Sequence, residues 1–289
     1  MLTSPLGLVG VLAKMFASVS RVVTLNMAIA FKNVPAKLDA ENPLEVSVTL
    51  ETPAVTEFGF AMIKVIIPAF NEENSISRVL QDIPDVVEEV IVVNNGSTDR
   101  TAEQAKKAGA TVIDEPRKGY GYACLAGMDH IANGSHLPEI VVFLDGDYSD
   151  YPEELIKLVE PIQNRDFDMV IGARVLALRE ANSMTPQQVF GNWLATTLMR
   201  LFFGAKFTDL GPFRGIRWDT LVSLNMSDKT YGWTVEMQLK ILQKVIPYQE
   251  IKVKYRERIG ISKVSGTIKG TIFAGIKIIG WIFKHYIFR

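Results

Sequence analysis

The chain has 289 residues, 48% of them hydrophobic, which suffices for one large α/β domain or two small ones and excludes a disordered protein. Its 31 basic and 32 acidic residues leave a formal charge of -1, so no global field favours nucleic acid and any basic residue that matters acts locally. The single cysteine, Cys124, and three scattered histidines exclude an internal disulfide and a Cys/His metal site, so a metal here would be a hard cation held by oxygen.

Residues 1–31 are apolar, but Lys14 and Arg21 interrupt them, leaving neither a clean secretion signal nor a clean membrane span. Residues 33–61 shift to Pro, Glu, Thr and Val without a phosphate-binding or catalytic pattern. We expect residues 1–61 to be a poorly ordered extension or to lie upstream of the true start. Met62 then opens a strand read over Lys64 to Ile67. Further strands are expected at Glu89 to Val93, Thr111 to Ile113, Ile140 to Leu144 and Asp168 to Ile171, separated by segments long enough for crossover helices. That alternation is the pattern of βαβ units in a mostly parallel sheet. Ser97-Thr98-Asp99 marks one helix start, and Asp150-Tyr-Pro-Glu153 has capping-box spacing for another.

After Arg174 the alternation stops. The chain becomes helix-rich, with strand-like pieces at Phe213 to Trp218 and Gln249 to Tyr255. Gln187 to Phe203 carries its apolar residues on one helical face, whose default partner is the core. Residues 266–289 read as an amphipathic helix. Lys269, Lys277 and Lys284 fall on one stripe, with Trp281, Phe283, Tyr286 and Phe288 adding aromatic bulk. Such a helix either lies in a membrane interface, its lysines reaching anionic head groups, or docks over the sheet.

Polar clusters close four of the strands: Asn71-Glu72-Glu73, Asn94-Asn95-Gly96-Ser97, Asp145-Gly146-Asp147 and Gly172-Ala173-Arg174. Active sites in parallel α/β sheets lie at the carboxyl ends of the strands, so these clusters would share one edge. Side chains two apart in an extended segment point the same way, and Asp145 and Asp147 can therefore converge on one divalent cation. A turn at a strand end accounts equally well for any one such cluster taken alone. Arg117 and Lys118, just before Gly119-Tyr-Gly121, place positive charge at a helix start, where backbone N–H groups also favour anions.

Taken together, Val65-Ile-Ile-Pro-Ala-Phe-Asn-Glu-Glu73, Val92-Val-Asn-Asn-Gly-Ser-Thr-Asp99 and the Asp145-Gly-Asp147 strand end resemble the family 2 glycosyltransferases of the GT-A fold. The resemblance covers about residues 63–265 and implies a Rossmann-like, mostly parallel sheet flanked by helices. It divides the chain into an extension at 1–61, a transferase domain at 62–265 and a membrane-proximal C-terminal helix at 266–289. It also implies that Pro68, Phe70 and Glu72 hold the base and ribose of a nucleotide-sugar donor. Asp145 would sit near the ribose and metal, and Asp147 would ligate Mg²⁺ or Mn²⁺ between the two phosphates. Asn95 stands where the family commonly has a carboxylate; an amide offers both donor and acceptor and would alter base preference.

Asp209-Leu-Gly-Pro-Phe-Arg214 and Arg256-Glu-Arg-Ile-Gly-Ile-Ser-Lys263 are similar to the acceptor-side and flexible-loop motifs of polyprenyl-phosphate glycosyltransferases, such as dolichyl-phosphate mannose synthases. The usual loop motif has one arginine three residues before the glycine. Here Arg256 and Arg258 stand four and two before Gly260, so either is the candidate diphosphate ligand, with Ser262 and Lys263 completing the loop. Arg174 and Arg214 are further candidate phosphate ligands. The expected reaction is metal-dependent, inverting transfer to a polyprenyl phosphate, on the cytoplasmic face of a membrane. A lipid phosphate is already anionic and needs no general base. A soluble or glycan hydroxyl acceptor would need one, with Asp209 or Glu236 as candidates.

Three other classes compete. A haloacid dehalogenase-type phosphohydrolase normally opens its domain with Asp-x-Asp, whereas Asp145 follows three strand-helix units. A nicotinamide-dependent oxidoreductase lacks support because Gly119-Tyr-Gly121 has no third glycine at the required spacing. A non-catalytic, membrane-associated nucleotide-sugar-binding module would keep the pocket without the chemistry.

Overall fold

A computed structural model of the chain describes residues 61–260 and 268–287. Residues 1–60 of the expected N-terminal extension, the loop residues Ser262 and Lys263, the side chain of Lys269, and Phe288 lie outside the described residues. The strands are β1 (Ile63–Ala69), β2 (Val87–Asn94), β3 (Thr111–Asp114), β4 (Ile140–Phe143), β5 (Met169–Ala173), β6 (Arg214–Arg217) and β7 (Tyr248–Lys252). The helices are α1 (Ile76–Gln81), α2 (Thr101–Lys107), α3 (Tyr120–Ala132), α4 (Leu155–Gln163), α5 (Pro186–Phe203), α6 (Trp218–Ser223), α7 (Trp233–Gln243) and α8 (Ile268–Ile287).

The strands form one sheet in the order β3-β2-β1-β4-β6-β5-β7. Every pairing is parallel except those of β6, which runs antiparallel to both β4 and β5. Alternation along β1 shows why the sheet is covered on both faces. Ile66 packs with Val141, Phe143 and Ile216 toward α3 and α7, while Val65 and Ile67 pack with Val142 toward α1 and α4. Ile66 is fully buried, and trimming it to Ala would cost about 2–5 kcal/mol. Chain order reverses between β1 and β4, one neighbour leading to β2 and the other to β6. The crevice outside the carboxyl ends of those two strands is the topological switch point where α/β sheets bind ligands.

Two local expectations need correction. Asp150 does not cap a helix. It is 1% exposed, both its oxygens lack hydrogen-bond partners, and a 3₁₀ turn at Pro152–Glu154 precedes α4 without a side-chain cap. The apolar stripe of α5 is core only in part: Leu198 and Phe202 pack against the core beside buried Ala195 and Met199, but Phe190 and Trp193 are 60% and 58% exposed and Leu201 is 73% exposed. The helix forms through local signals instead. Thr185 and Gln188 make a reciprocal capping box, Pro186 stands at the first turn, and Gly204 closes the helix in the left-handed conformation. Its neighbour α8 docks against α5 and α7, with Ile282 fully buried in the core. Among the described residues no helix is long and apolar enough to cross a membrane.

Candidate active site

A cleft of about 310 Å³ opens at the switch point, lined by Pro68, Phe70 and Glu72 after β1, Asn95 after β2, Asp145 and Asp147 after β4, and Arg258. All seven were expected site residues. Their convergence follows from the parallel sheet, which brings consecutive strand ends to one edge. Ala69, Lys118, Gly119, Tyr120, Gly146, Thr230 and Tyr231 complete the lining.

The acidic pair is under electrostatic stress. Asp145 is half-buried in the cleft wall, and its Oδ1 is buried without any hydrogen-bond partner. Burial, then the neighbouring Asp147 charge, push its pKa up to about 7, against the pull of Arg258 and the Tyr120 hydroxyl. Asp147 directs Oδ1 to the backbone N–H and hydroxyl of Ser149, and Oδ2 pairs with Arg258 Nη1 at 3.1 Å. A buried acceptor without a donor, beside a second carboxylate, suits a small divalent cation. Among the described residues no group of three or more His, Cys, Asp or Glu side chains makes a full cage. Two carboxylates with remaining positions left to water and phosphate is how Mg²⁺ is commonly held, so the residues fit Mg²⁺ or Mn²⁺ with a phosphate ligand.

The two loop arginines have different jobs. Arg258 spans the cleft from Asp147 to Glu72, whose Oε1 accepts from Nη2 at 3.0 Å. Arg256 faces away and works as a clamp. Its guanidinium lies over the rings of Tyr148 and Tyr151, centred 3.3 Å and 4.2 Å from them, and donates to the carbonyls of Tyr148 and Asp150. Tyr148 has φ 65°, a costly conformation for a bulky residue. Besides the Arg256 clamp, its hydroxyl donates to Asp82 Oδ2 at 2.6 Å. This braced turn fixes the backbone immediately after Asp147.

Asn95 sits in the cleft wall, but its amide is committed to the loop. Nδ2 donates to the carbonyls of Glu115 and Arg117, and Oδ1 accepts from Gly119 N–H. The amide expected to alter base preference thus shapes the cleft wall through these three bonds. Of the basic pair, Lys118 faces the cleft, its ammonium 5.1 Å from the Phe70 ring centre, whereas Arg117 is held by Glu115. The start of α3 is not an open anion site either. Gly121 and Tyr122 N–H donate to the carbonyls of Thr230 and Lys229. Gly119 adopts φ 150°, and a Cβ on Gly119 or Gly121 would collide with the carbonyls of Lys229 or Asp228. Sequence reasoning missed this 228–231 wall; the close-set glycines of Gly119-Tyr-Gly121 were its one signal.

The acceptor-side expectations divide differently. Arg174 and Asp209 form a buried fork, with Nε and Nη2 of Arg174 at 2.8 and 2.7 Å from the carboxylate and its backbone N–H also donating. Burial would raise the Asp209 pKa, but the Arg174 charge and these bonds hold it below the usual carboxylate range. Such a carboxylate is a poor base; it orients Arg174. Arg214 does not reach either cavity as a phosphate ligand. It is fully buried and spends its donors on the carbonyls of Gly211, Leu210 and Thr234. Burial brings its pKa down to about 10. Glu236 is equally unsuited to be a base, being wholly buried and saturated by Ser227, the Asp228 N–H and Lys240. Its acidity was legible in the sequence, its burial was not.

A second, larger cavity of about 760 Å³ runs between α5 and α8. Phe190, Leu194, Ala195, Leu210, Ile276 and Ile279 line it, and Arg174 stands in its wall. It is chiefly apolar, with one fixed cation.

Comparisons with known proteins agree with this geometry. The family described as "Glycosyl transferase family 2" matches residues 64–221. An uncharacterized glycosyltransferase of Mycobacterium tuberculosis is 34% identical over 215 residues, covering 73% of this chain and 94% of that protein. An undecaprenyl-phosphate mannosyltransferase of Micrococcus luteus is 31% identical, covering 71% of this chain and 88% of that protein. A dolichyl-phosphate hexose transferase of Haloferax volcanii is 30% identical, covering 73% and 90%. The fold is shared with glucosyl-3-phosphoglycerate synthase from Mycobacterium tuberculosis, solved in complex with Mn²⁺, UDP and phosphoglyceric acid. That likeness has a TM-score of 0.62 at 20% identity and covers 78% of each chain. With its switch-point cleft, its acidic strand end and its similarity to polyprenyl-phosphate sugar transferases along most of their length, this chain belongs to glycosyltransferase family 2.

Proposed function

We propose that the protein transfers a sugar from a nucleotide-sugar to a polyprenyl phosphate, with inversion, at the cytoplasmic surface of a membrane. The observation that carries this reading is that neither candidate base is free: Asp209 is locked to Arg174 and Glu236 is saturated by the 227–228 backbone and Lys240. A hydroxyl acceptor needs a base to take its proton, whereas a phosphate monoester is anionic near neutral pH. The apolar cavity between α5 and α8 suits an isoprenoid chain, and Arg174, held by Asp209, suits its phosphate. Relatives named for dolichyl-phosphate and undecaprenyl-phosphate transfer support the same acceptor class.

On the donor side, Pro68 and Phe70 provide apolar surface for the base, and Glu72 and Asn95 shape the ribose side. Asp145 and Asp147 would hold Mg²⁺ or Mn²⁺, which when bound neutralises charge on the departing nucleoside diphosphate. Lys118 and Arg258 bring further positive charge to that diphosphate, with Arg256 holding the turn that aims Asp147. Exposed Phe190, Trp193, Leu201, Phe283 and Tyr286 on α5 and α8 give the face that meets the lipid surface. One detail differs from the lysine-stripe expectation: the Lys277 ammonium is committed to Asp228 and Thr230, which leaves Lys284, of the described pair, for head groups.

The deciding experiment incubates the purified full chain with radiolabelled nucleotide-sugars, undecaprenyl or dolichyl phosphate, and Mg²⁺ or Mn²⁺. The expected result is metal-dependent label in the chloroform phase; label found only on water-soluble acceptors would overturn the lipid-phosphate reading.

A further inference from the structure

The segment from Ser227 to Gly232 has no regular secondary structure, yet its Thr230 and Tyr231 wall the nucleotide cleft. It is gripped from two sides. On the cleft side, Gly121 and Tyr122 N–H donate to Thr230 and Lys229 carbonyls, and the glycines of α3 leave no room between helix and segment. On the other side stands Asp228, a carboxylate only 1% exposed, which organises the turn and reaches α8 with the same group. Its Oδ1 accepts from Thr230 N–H at 2.7 Å and Gly232 N–H at 3.0 Å. Its Oδ2 accepts from the Trp281 indole at 2.7 Å and pairs with Lys277 at 3.0 Å. Lys277 also donates to Thr230 Oγ1 at 2.8 Å, so α8 touches a cleft-wall side chain directly. Gly232 completes the fit, because a Cβ there would run into the Trp281 ring.

We infer that Asp228, with Lys277 and Trp281, is a positioning device through which the seating of α8 sets the wall of the nucleotide cleft. The C-terminal helix is thereby part of donor recognition as well as a flank of the apolar cavity. A buried carboxylate shared between a turn and a helix ties the two together: if α8 lifts away, Oδ2 loses both its cation and its indole donor. The turn then loses one of the two supports that hold Thr230 and Tyr231. Since α8 also carries exposed Ile276, Phe283 and Tyr286, contact with a lipid surface would favour the seated arrangement and tighten donor binding. This inference rests on the nucleotide-sugar reading of the cleft.

The test is calorimetric titration of the full chain with UDP and with GDP, each in the presence of Mn²⁺, for wild type, Lys277→Met, Lys277→Arg and Trp281→Phe. Donor-side binding is expected to weaken about tenfold in Lys277→Met and Trp281→Phe and to recover to within about twofold in Lys277→Arg. In the transfer assay the same variants should raise KM for the nucleotide-sugar and leave kcat near wild type, a split that general loss of fold would not produce. Lys277 is partly exposed, so Lys277→Met tests the idea even if Trp281→Phe fails to fold. Wild-type binding with unchanged affinity in the folded variants would overturn the coupling alone. Failure of the wild type to bind either nucleotide would overturn the donor reading and the coupling with it.

Discussion

The two cavities manage charge in opposite ways. In the nucleotide cleft Asp145 has a buried oxygen with no donor, and Arg258 bridges Glu72 and Asp147. Beside the apolar cavity, Arg174 and Asp209 satisfy one another in a closed fork, and deeper in the fold Arg214 and Glu236 are fully spent on backbone and neighbouring side chains. Uncompensated charge marks where a ligand of opposite sign has work to do; compensated charge marks scaffolding and orientation. In the proposed function the acidic pair is the chemical centre, and the acids downstream of β5 build the frame around it.

The sharpest break of this contrast is Asp147→Ala. It should abolish metal-dependent nucleotide binding and lower kcat/KM by about 10³ or more, as read by Mn²⁺-dependent titration and sugar transfer. Next is Arg174→Met, which leaves Asp209 buried and unpaired. Transfer to lipid phosphate should fall about 100-fold, and stability by about 3–5 kcal/mol in urea unfolding. Adding Asp209→Leu should return much of the stability and none of the transfer, separating frame from function.

A third, milder effect is pH dependence. The Asp145 pKa of about 7 in the folded protein lies above the ordinary 3.8, so in metal-free protein the proton stays on until pH rises through about 7. A metal must displace that proton, so Mn²⁺ affinity should tighten by up to about tenfold per pH unit between about pH 6 and about pH 7, then level off. By the same linkage the metal-free fold loses stability from this group as pH rises from about 4 to about 7, and Asp145→Asn should flatten both slopes. The smallest effect on chemistry is expected for Glu236→Gln, with kcat within about twofold of wild type, whereas loss of a general base costs about 10²–10⁴. Its cost should appear in stability, at about 1–3 kcal/mol, because Ser227 and Asp228 lose an ionised acceptor.

Much of the fold was legible in the sequence because buried parallel strands are short apolar runs, and all seven expected strands form with their ends shifted by up to three residues. The nucleotide cleft was legible for a related reason. Most of the expected cleft residues sit at strand ends, where position in the chain fixes position in the fold, so Pro68, Asn95 and Asp147 were placed at one edge by the strand pattern and given roles by the family resemblance. The acceptor half was less so. Whether Arg214 faces a cavity or the core, or whether Glu236 meets solvent or Ser227, depends on tertiary burial that leaves no periodic trace. The stripe of α5 misled in part for the same reason: Leu198 and Phe202 reach the core while Phe190 and Trp193 are exposed, since apolar periodicity reports one-sidedness and not which partner covers that side. Asp150 had a capping signature and became a partnerless buried acid, raised well above the carboxylate range by burial and then by Asp145 and Asp147.

Arg258 has a consequence for the protein's life before its first turnover. Many small metal-dependent domains stay unfolded until the ion arrives, because their ligands repel one another in its absence. Here the chain supplies its own place-keeper: a guanidinium between Glu72 and Asp147 offsets the charge that the strand ends bring together. With a metal at Asp145 and Asp147 as proposed, the metal-free chain is thus expected to fold before the ion arrives, which thermal unfolding in EDTA would check.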